Sequence, residues 1–163
     1  MLKMFTDKLL NQLLFTHKWD FLKPVVPTSL KSLLRERLGQ GKMGTFDLGN
    51  GVEVKYFLND SYWFRFWENP KAYEVEIFKV FEQVLDRDTL FIDGGANIGF
   101  WSCFSSAKIA NKNQVVAIEA ASRVLKNLQI NRKHSKHGFR ILNNALYSTS
   151  GEKKEFTEYE YHS

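Results

Sequence analysis

The chain has 163 residues, 44% apolar and 25% charged, which is the length and composition of one ordinary globular domain. Its formal charge of +5 comes from residues 1–42, where eight Lys and Arg stand against three Asp and Glu; residues 43–163 hold fifteen of each. One cysteine, Cys103, excludes a disulfide framework and a cysteine-based zinc site, and Lys3, Asp7, Lys8 and Asn11 break every early apolar run, so a cytoplasmic protein is expected.

Residues 1–44 read as a basic helical segment. Leu2, Phe5, Leu9, Leu10, Leu13 and Leu14 recur at helical spacing, and a second short pattern after Pro27 runs through Leu30, Leu33, Leu34 and Leu38 to Gly39. A basic amphipathic pair of this kind can lie on an anionic membrane. Asp7, Asp20 and Glu36 dilute the charge, so a helical cap on the domain is preferred to membrane contact, and no nucleic-acid partner is expected.

Residues 45–89 form a second segment. Asn50 and Gly51 separate two strand-like runs within 45–58 and predict a hairpin, because both residues tolerate the positive φ of a tight turn. The rings of Tyr62, Trp63, Phe64, Phe66 and Trp67 predict a half-buried strand, with stacking on a ring substrate as the alternative. A helix is expected over 71–85, with Ile77, Phe78, Phe81, Val84 and Leu85 on one face.

From residue 90 to 163 the pattern becomes strand (90–92), helix (98–110), strand (115–118), helix (Val124, Leu125, Leu128) and strand (139–142). That alternation builds a parallel sheet, so the fold class is α/β and Rossmann-like.

The segment FIDGGANIGF, Phe91–Phe100, carries the chemistry. Asp93 ends a strand, and Gly95, Ala96, Asn97 and Gly99 form the turn that opens a helix, where small residues admit a ligand and Asp93 can face a cation. Glu119 closes the next strand 26 residues after Asp93, in place to accept hydrogen bonds from a ribose diol. The loop reads G-x-N-x-G, not the G-x-G-x-x-G of a dinucleotide site. Asn97 puts a side chain where bare backbone is needed, and Asp93 repels phosphate. S-adenosylmethionine, a sulfonium amino acid joined to adenosine without phosphate, fits better than a nicotinamide or flavin. His17, His134, His137 and His162 are scattered and read as solvated, with no metal-ligand spacing.

FIDGGANIGFWS, VVAIEA and ILNNALYSTSGEKKEF, in that order, together with the hairpin, DSYW and YEVE at Tyr73–Glu76, resemble the FkbM family of methyltransferases over residues 45–161. The resemblance implies a class I methyltransferase sheet and O-methylation of a sugar, polysaccharide or small-metabolite hydroxyl, with S-adenosylmethionine as donor. It implies that Asp93, Gly95, Ala96, Asn97 and Gly99 hold the methionine and ribose portions. Glu119 would hold the ribose diol, Ala145 or Asn144 would lie near the adenine, and Glu74, in the preceding helix, would face the cofactor. Family members continue into a fourth parallel strand with an acidic motif, which this sequence does not reach by Ser163. The expectation is therefore a truncated or split form, with strands in the order 3-2-1 and no assignable catalytic residue. Its activity alone is in doubt, and the edge at Leu90, Phe91 and Ile92 would be open to self-association or a complementing chain. The rival reading is a non-catalytic Rossmann remnant or assembly subunit that pairs with another chain. A nucleotide-dependent oxidoreductase is disfavoured by Asn97.

Overall fold

The computed structural model describes Pro27, Ser29, Leu30, residues 41–151 and Glu155. The helical pattern over 2–15 and nearly all of the second one lie outside these residues, as does most of the segment GEKKEF. The described chain is α/β, with a two-stranded antiparallel hairpin and a three-stranded parallel sheet.

The hairpin pairs β1 (Met43–Asp47) with β2 (Glu53–Phe57). Its turn sits where the sequence predicts, with Asn50 and Gly51 at φ 53° and 76°. Gly49 before them is also positive, at 87°, and such a turn matches the twist of the flanking strands. Alternation along both strands sends Phe46, Val54 and Tyr56 inward, and Phe46 stacks on Tyr56 with centroids 4.1 Å apart.

The aromatic run is not a strand. It opens as a short helix, α1 (Ser61–Phe64), because Asp60 caps it: the Asp60 carboxylate accepts from the Trp63 N–H at 3.2 Å. Helical spacing then buries Trp63 and Trp67, four residues apart, and leaves Tyr62 exposed. The helix predicted over 71–85 also starts later. Pro70–Ala72 form a single 3-10 turn, Glu74 adopts a left-handed φ of 45°, and α2 runs from Val75 to Val84.

The parallel sheet has the order β3 (Phe91–Gly94), β4 (Val115–Ile118), β5 (Arg140–Leu142), with α3 (Phe100–Lys108) and α4 (Ser122–His134) as the connecting helices. Register pairs Phe91 with Val115 and Asp93 with Ala117, and Ala117 in turn with Ile141. The period of two puts these residues on one sheet face, where Val115 and Ala117 are fully buried. Ile92, Val116, Ile118 and Leu142 lie on the other face, where Ile92 is 59% exposed. A single apolar core runs through the hairpin, α1, α2, β4 and both connecting helices, so the segments on either side of residue 90 fold as one packed body.

Asn131, on α4, joins hairpin to sheet domain. Fully buried, it accepts from Lys55 N–H at 2.7 Å and donates to the Lys55 and Ile98 carbonyls at 2.8 and 2.7 Å. The hairpin is thus spent on the helical layer, and β3 pairs with β4 alone among the described residues. A short apolar edge of this kind templates further strand pairing. The protein is therefore expected to self-associate as its concentration rises, and light scattering with amide hydrogen exchange reads this. A monodisperse monomer with strongly protected amides at residues 90–93 would show the edge to be covered.

Candidate functional site

The loop between β3 and α3 is folded by its own amides. Gly95 and Ala96 N–H both donate to the Ile118 carbonyl, at 2.9 and 3.0 Å, and Gly99 N–H donates to the Ala96 carbonyl at 2.7 Å. Asn97 N–H donates to Glu119 Oε2 at 2.7 Å. Gly95, Asn97 and Gly99 all have positive φ, which accounts for two glycines and an asparagine at these places. The two glycines differ in surroundings. A Cβ on Gly95 would meet nothing within 4 Å, whereas one on Gly99 would lie 2.6 Å from Leu128 and 3.3 Å from Phe139.

Glu119 clasps two elements. Oε2 holds the loop at Asn97, and Oε1 accepts from Ala121 N–H at 2.7 Å at the start of α4, which has no side-chain cap of its own. A carboxylate offers about four acceptor directions, so two backbone donors leave capacity for a ligand. The Asn97 side chain turns the other way, and its Oδ1 accepts from Trp63 Nε1 at 3.2 Å, tying the loop to α1.

Asp93 faces the helical layer, where Ser102 Oγ donates to Oδ2 at 2.6 Å. Burial raises its pKa above the usual carboxylate range; the Ser102 hydroxyl and amide oppose this, while Glu119 and Glu74 add repulsion in the same direction as burial. A raised carboxyl pKa means that ionisation costs stability in the folded state. The stabilising contribution is present below the unfolded pKa and is lost as pH rises through the folded one. Asp93→Asn, which keeps an oxygen for Ser102, is thus expected to raise the melting temperature at neutral pH. Thermal melts across pH should show that gain vanishing in acid, and an unchanged melting temperature at neutral pH would contradict it.

Glu74 does not lie within a helix as predicted but just before α2. Its left-handed backbone turns the carboxylate toward α3, where Oε2 accepts from Trp101 Nε1 at 2.6 Å. Glu74 and Glu119 both act electrostatically on Asp93, so three acids surround the loop. Ala96 is buried beneath it. Asn144 and Ala145 are exposed after β5, and the neighbouring Asn143 makes the contact instead: its Nδ2 donates to the carbonyls of Glu119 and Ala120 at 2.8 and 3.2 Å. Further along that segment, Leu146 lies 2.7 Å from where a Cβ on Gly94 would stand, so the chain after β5 folds back across the carboxyl end of β3.

Sequence reasoning missed Ser102, Trp63, Trp101, Asn131 and Asn143. Ser102 had a legible signal, since it lies in the first turn of the helix that the glycine loop opens. The indoles of Trp63 and Trp101 had none, because their partners are 34 and 27 residues away. Among the described residues no group of His, Cys, Asp and Glu could hold a metal ion, and no helix is long and apolar enough to cross a membrane. No protein-family model, curated protein or solved structure matches the chain.

Proposed function

We propose that the chain binds S-adenosylmethionine across the carboxyl ends of β3 and β4 and serves O-methylation of a hydroxyl on a sugar, polysaccharide or small metabolite. It does so on a Rossmann-like, class I methyltransferase sheet of the FkbM type. The observation that carries this reading is Glu119 at the end of β4, holding the glycine loop with one oxygen and the start of α4 with the other. Two further observations support it. The amides of Gly95, Ala96, Asn97 and Gly99 are already engaged within the chain, which leaves this loop poorly suited to a pyrophosphate. The three acids around it favour a cationic ligand.

In this reading Glu119 accepts from the ribose hydroxyls, Gly95 leaves room for the nucleoside, and Asp93 and Glu74, whose carboxylates bond Ser102 and Trp101, act on the ammonium and sulfonium charge through their field. Asn143, Asn144 and Ala145 border the adenine. When bound, the cofactor supplies an electrophilic methyl group. The chain's own part is to bind and orient it, and no side chain is assigned as a catalytic acid or base.

Calorimetric titration with S-adenosylhomocysteine tests the proposal, with NAD as comparison. Binding of the first and not the second is expected, with a rise in melting temperature by linkage. Glu119→Ala removes charge-assisted hydrogen bonds worth about 1.5–3 kcal/mol each, a loss of at least tenfold in affinity. Equal affinity in wild type and variant would sink the ribose assignment.

A second reading, an assembly subunit that pairs with another chain, is favoured by the edge of β3, unpaired among the described residues, and by the exposed Ile92 face. Binding of a strand-donating partner without S-adenosylhomocysteine affinity would support it over the first.

A further inference from the structure

Residues 43–163 balance to zero charge, but the charge is not evenly spread: residues 120–151 carry six Lys and Arg and no Asp or Glu. Two of those six, Arg132 and Lys133, meet Lys112 in the wall of a cleft of about 440 Å³ at the amino end of the parallel sheet. Lys112 stands in the 3-10 turn Lys112–Gln114 that leads into β4, and Arg132 and Lys133 stand in the last turn of α4. Buried Phe139, just before β5, lines the cleft too. No acid lines it, and among the described residues none of the three cations is paired with a carboxylate. The residues proposed for the cofactor lie at the opposite, carboxyl end of the strands, so this cleft stands independently of that reading.

Basic residues at the end of a helix ordinarily complement its negative pole. Here other groups already cap that pole. Ser135 N–H donates to the Asn131 carbonyl at 2.8 Å, Ser135 Oγ donates to the Arg132 carbonyl at 2.8 Å, and the His134 ring Nδ1 meets the Ile130 carbonyl at 2.8 Å. The side chains of Arg132 and Lys133 donate to none of these carbonyls, and Lys112 belongs to a different element. Helix capping therefore does not account for the three cations converging.

Unpaired cations around a concave site focus a positive field on it. Phosphate is the anion that fits them, since a guanidinium fork and an ammonium point charge both bind its oxygens. The volume lies within the roughly 300–1,000 Å³ of small-molecule pockets. None of the exposed large apolar side chains borders the cleft, so nothing there would insert into a bilayer. We propose that the cleft binds a small soluble molecule through a terminal phosphate group, received by Lys112, Arg132 and Lys133.

NMR titration of the full chain with inorganic pyrophosphate, in about 0.1 M salt to screen diffuse attraction, tests this. Saturable amide shifts at Lys112 and Lys133, with a Kd below about 1 mM, are expected. Lys112→Gln and Arg132→Gln, both at exposed positions, should each weaken binding about fivefold or more. Lys126→Gln removes the same charge from α4 outside the cleft and should change the affinity by less than about twofold. Absence of saturation overturns the proposal, as does an equal loss in Lys126→Gln and Lys112→Gln, which would make the effect one of net charge. Tighter capture by phosphatidic acid vesicles or by duplex DNA would make the partner an extended surface and overturn it too.

Discussion

Replacing Gly99 with Val is expected to remove a large part of the fold's stability, while replacing Gly95 with Val, four residues earlier, should leave a folded protein that loses the proposed binding of S-adenosylhomocysteine. Both glycines have positive φ, so any side chain costs about 1–2 kcal/mol from the backbone alone. At Gly99 the added Cβ also overlaps Leu128 and Phe139, which are fully buried and cannot withdraw into solvent. Overpacking of that kind adds about 1–3 kcal/mol, bringing the total to a large part of the roughly 5–15 kcal/mol that holds a domain together. At Gly95 the space is open within the chain, so only the backbone term applies, and the branched side chain fills room the ligand would use. Urea denaturation and calorimetry on both variants check this, with Cys103→Ala as a control that should leave binding intact. A Gly95→Val protein with wild-type affinity would make the loop a structural turn only.

Asn131→Ala should be the second severe change. It strands Lys55 N–H, Lys55 C=O and Ile98 C=O at a buried junction, and each orphaned group costs about 1–3 kcal/mol. A loss on the order of 3–6 kcal/mol in chemical denaturation is expected, with faster amide exchange at Lys55. Asn131→Asp keeps an acceptor for Lys55 N–H but sets a buried carboxylate against the Lys55 and Ile98 carbonyls, so at neutral pH it should lose at least as much as alanine. A loss under about 1 kcal/mol for Asn131→Ala would mean that water replaces the clasp.

The parallel sheet was legible because its signals are local. The first two strands of the sheet are short apolar runs closed by a glycine and by an acid, and the hairpin is announced by Asn50 and Gly51. The aromatic run was misread because five adjacent rings satisfy a strand pattern as readily as a helical one, and Asp60, the residue that decides, lies before the run. Glu74 was misplaced because an αL backbone at glutamate has no compositional mark. Of the candidate site, the loop residues and Glu119 could be placed, since strand ends fix them. What Glu119 touches could not, and neither could Asn131, a single polar residue on a polar helix whose partner lies 76 residues away.

That separation also bears on the order of folding. The hairpin closes across the short turn of residues 49–51, and neighbouring parallel strands meet at register offsets of 24 residues, as from Phe91 to Val115. Joining Lys55 to Asn131 closes a loop about three times longer, at an added entropy cost of about 1 kcal/mol when nothing is yet formed. The hairpin should therefore form early and dock late, after α4 has seated on the sheet. Substitutions at Asn131 would then act mainly on the unfolding rate and leave the folding rate nearly unchanged.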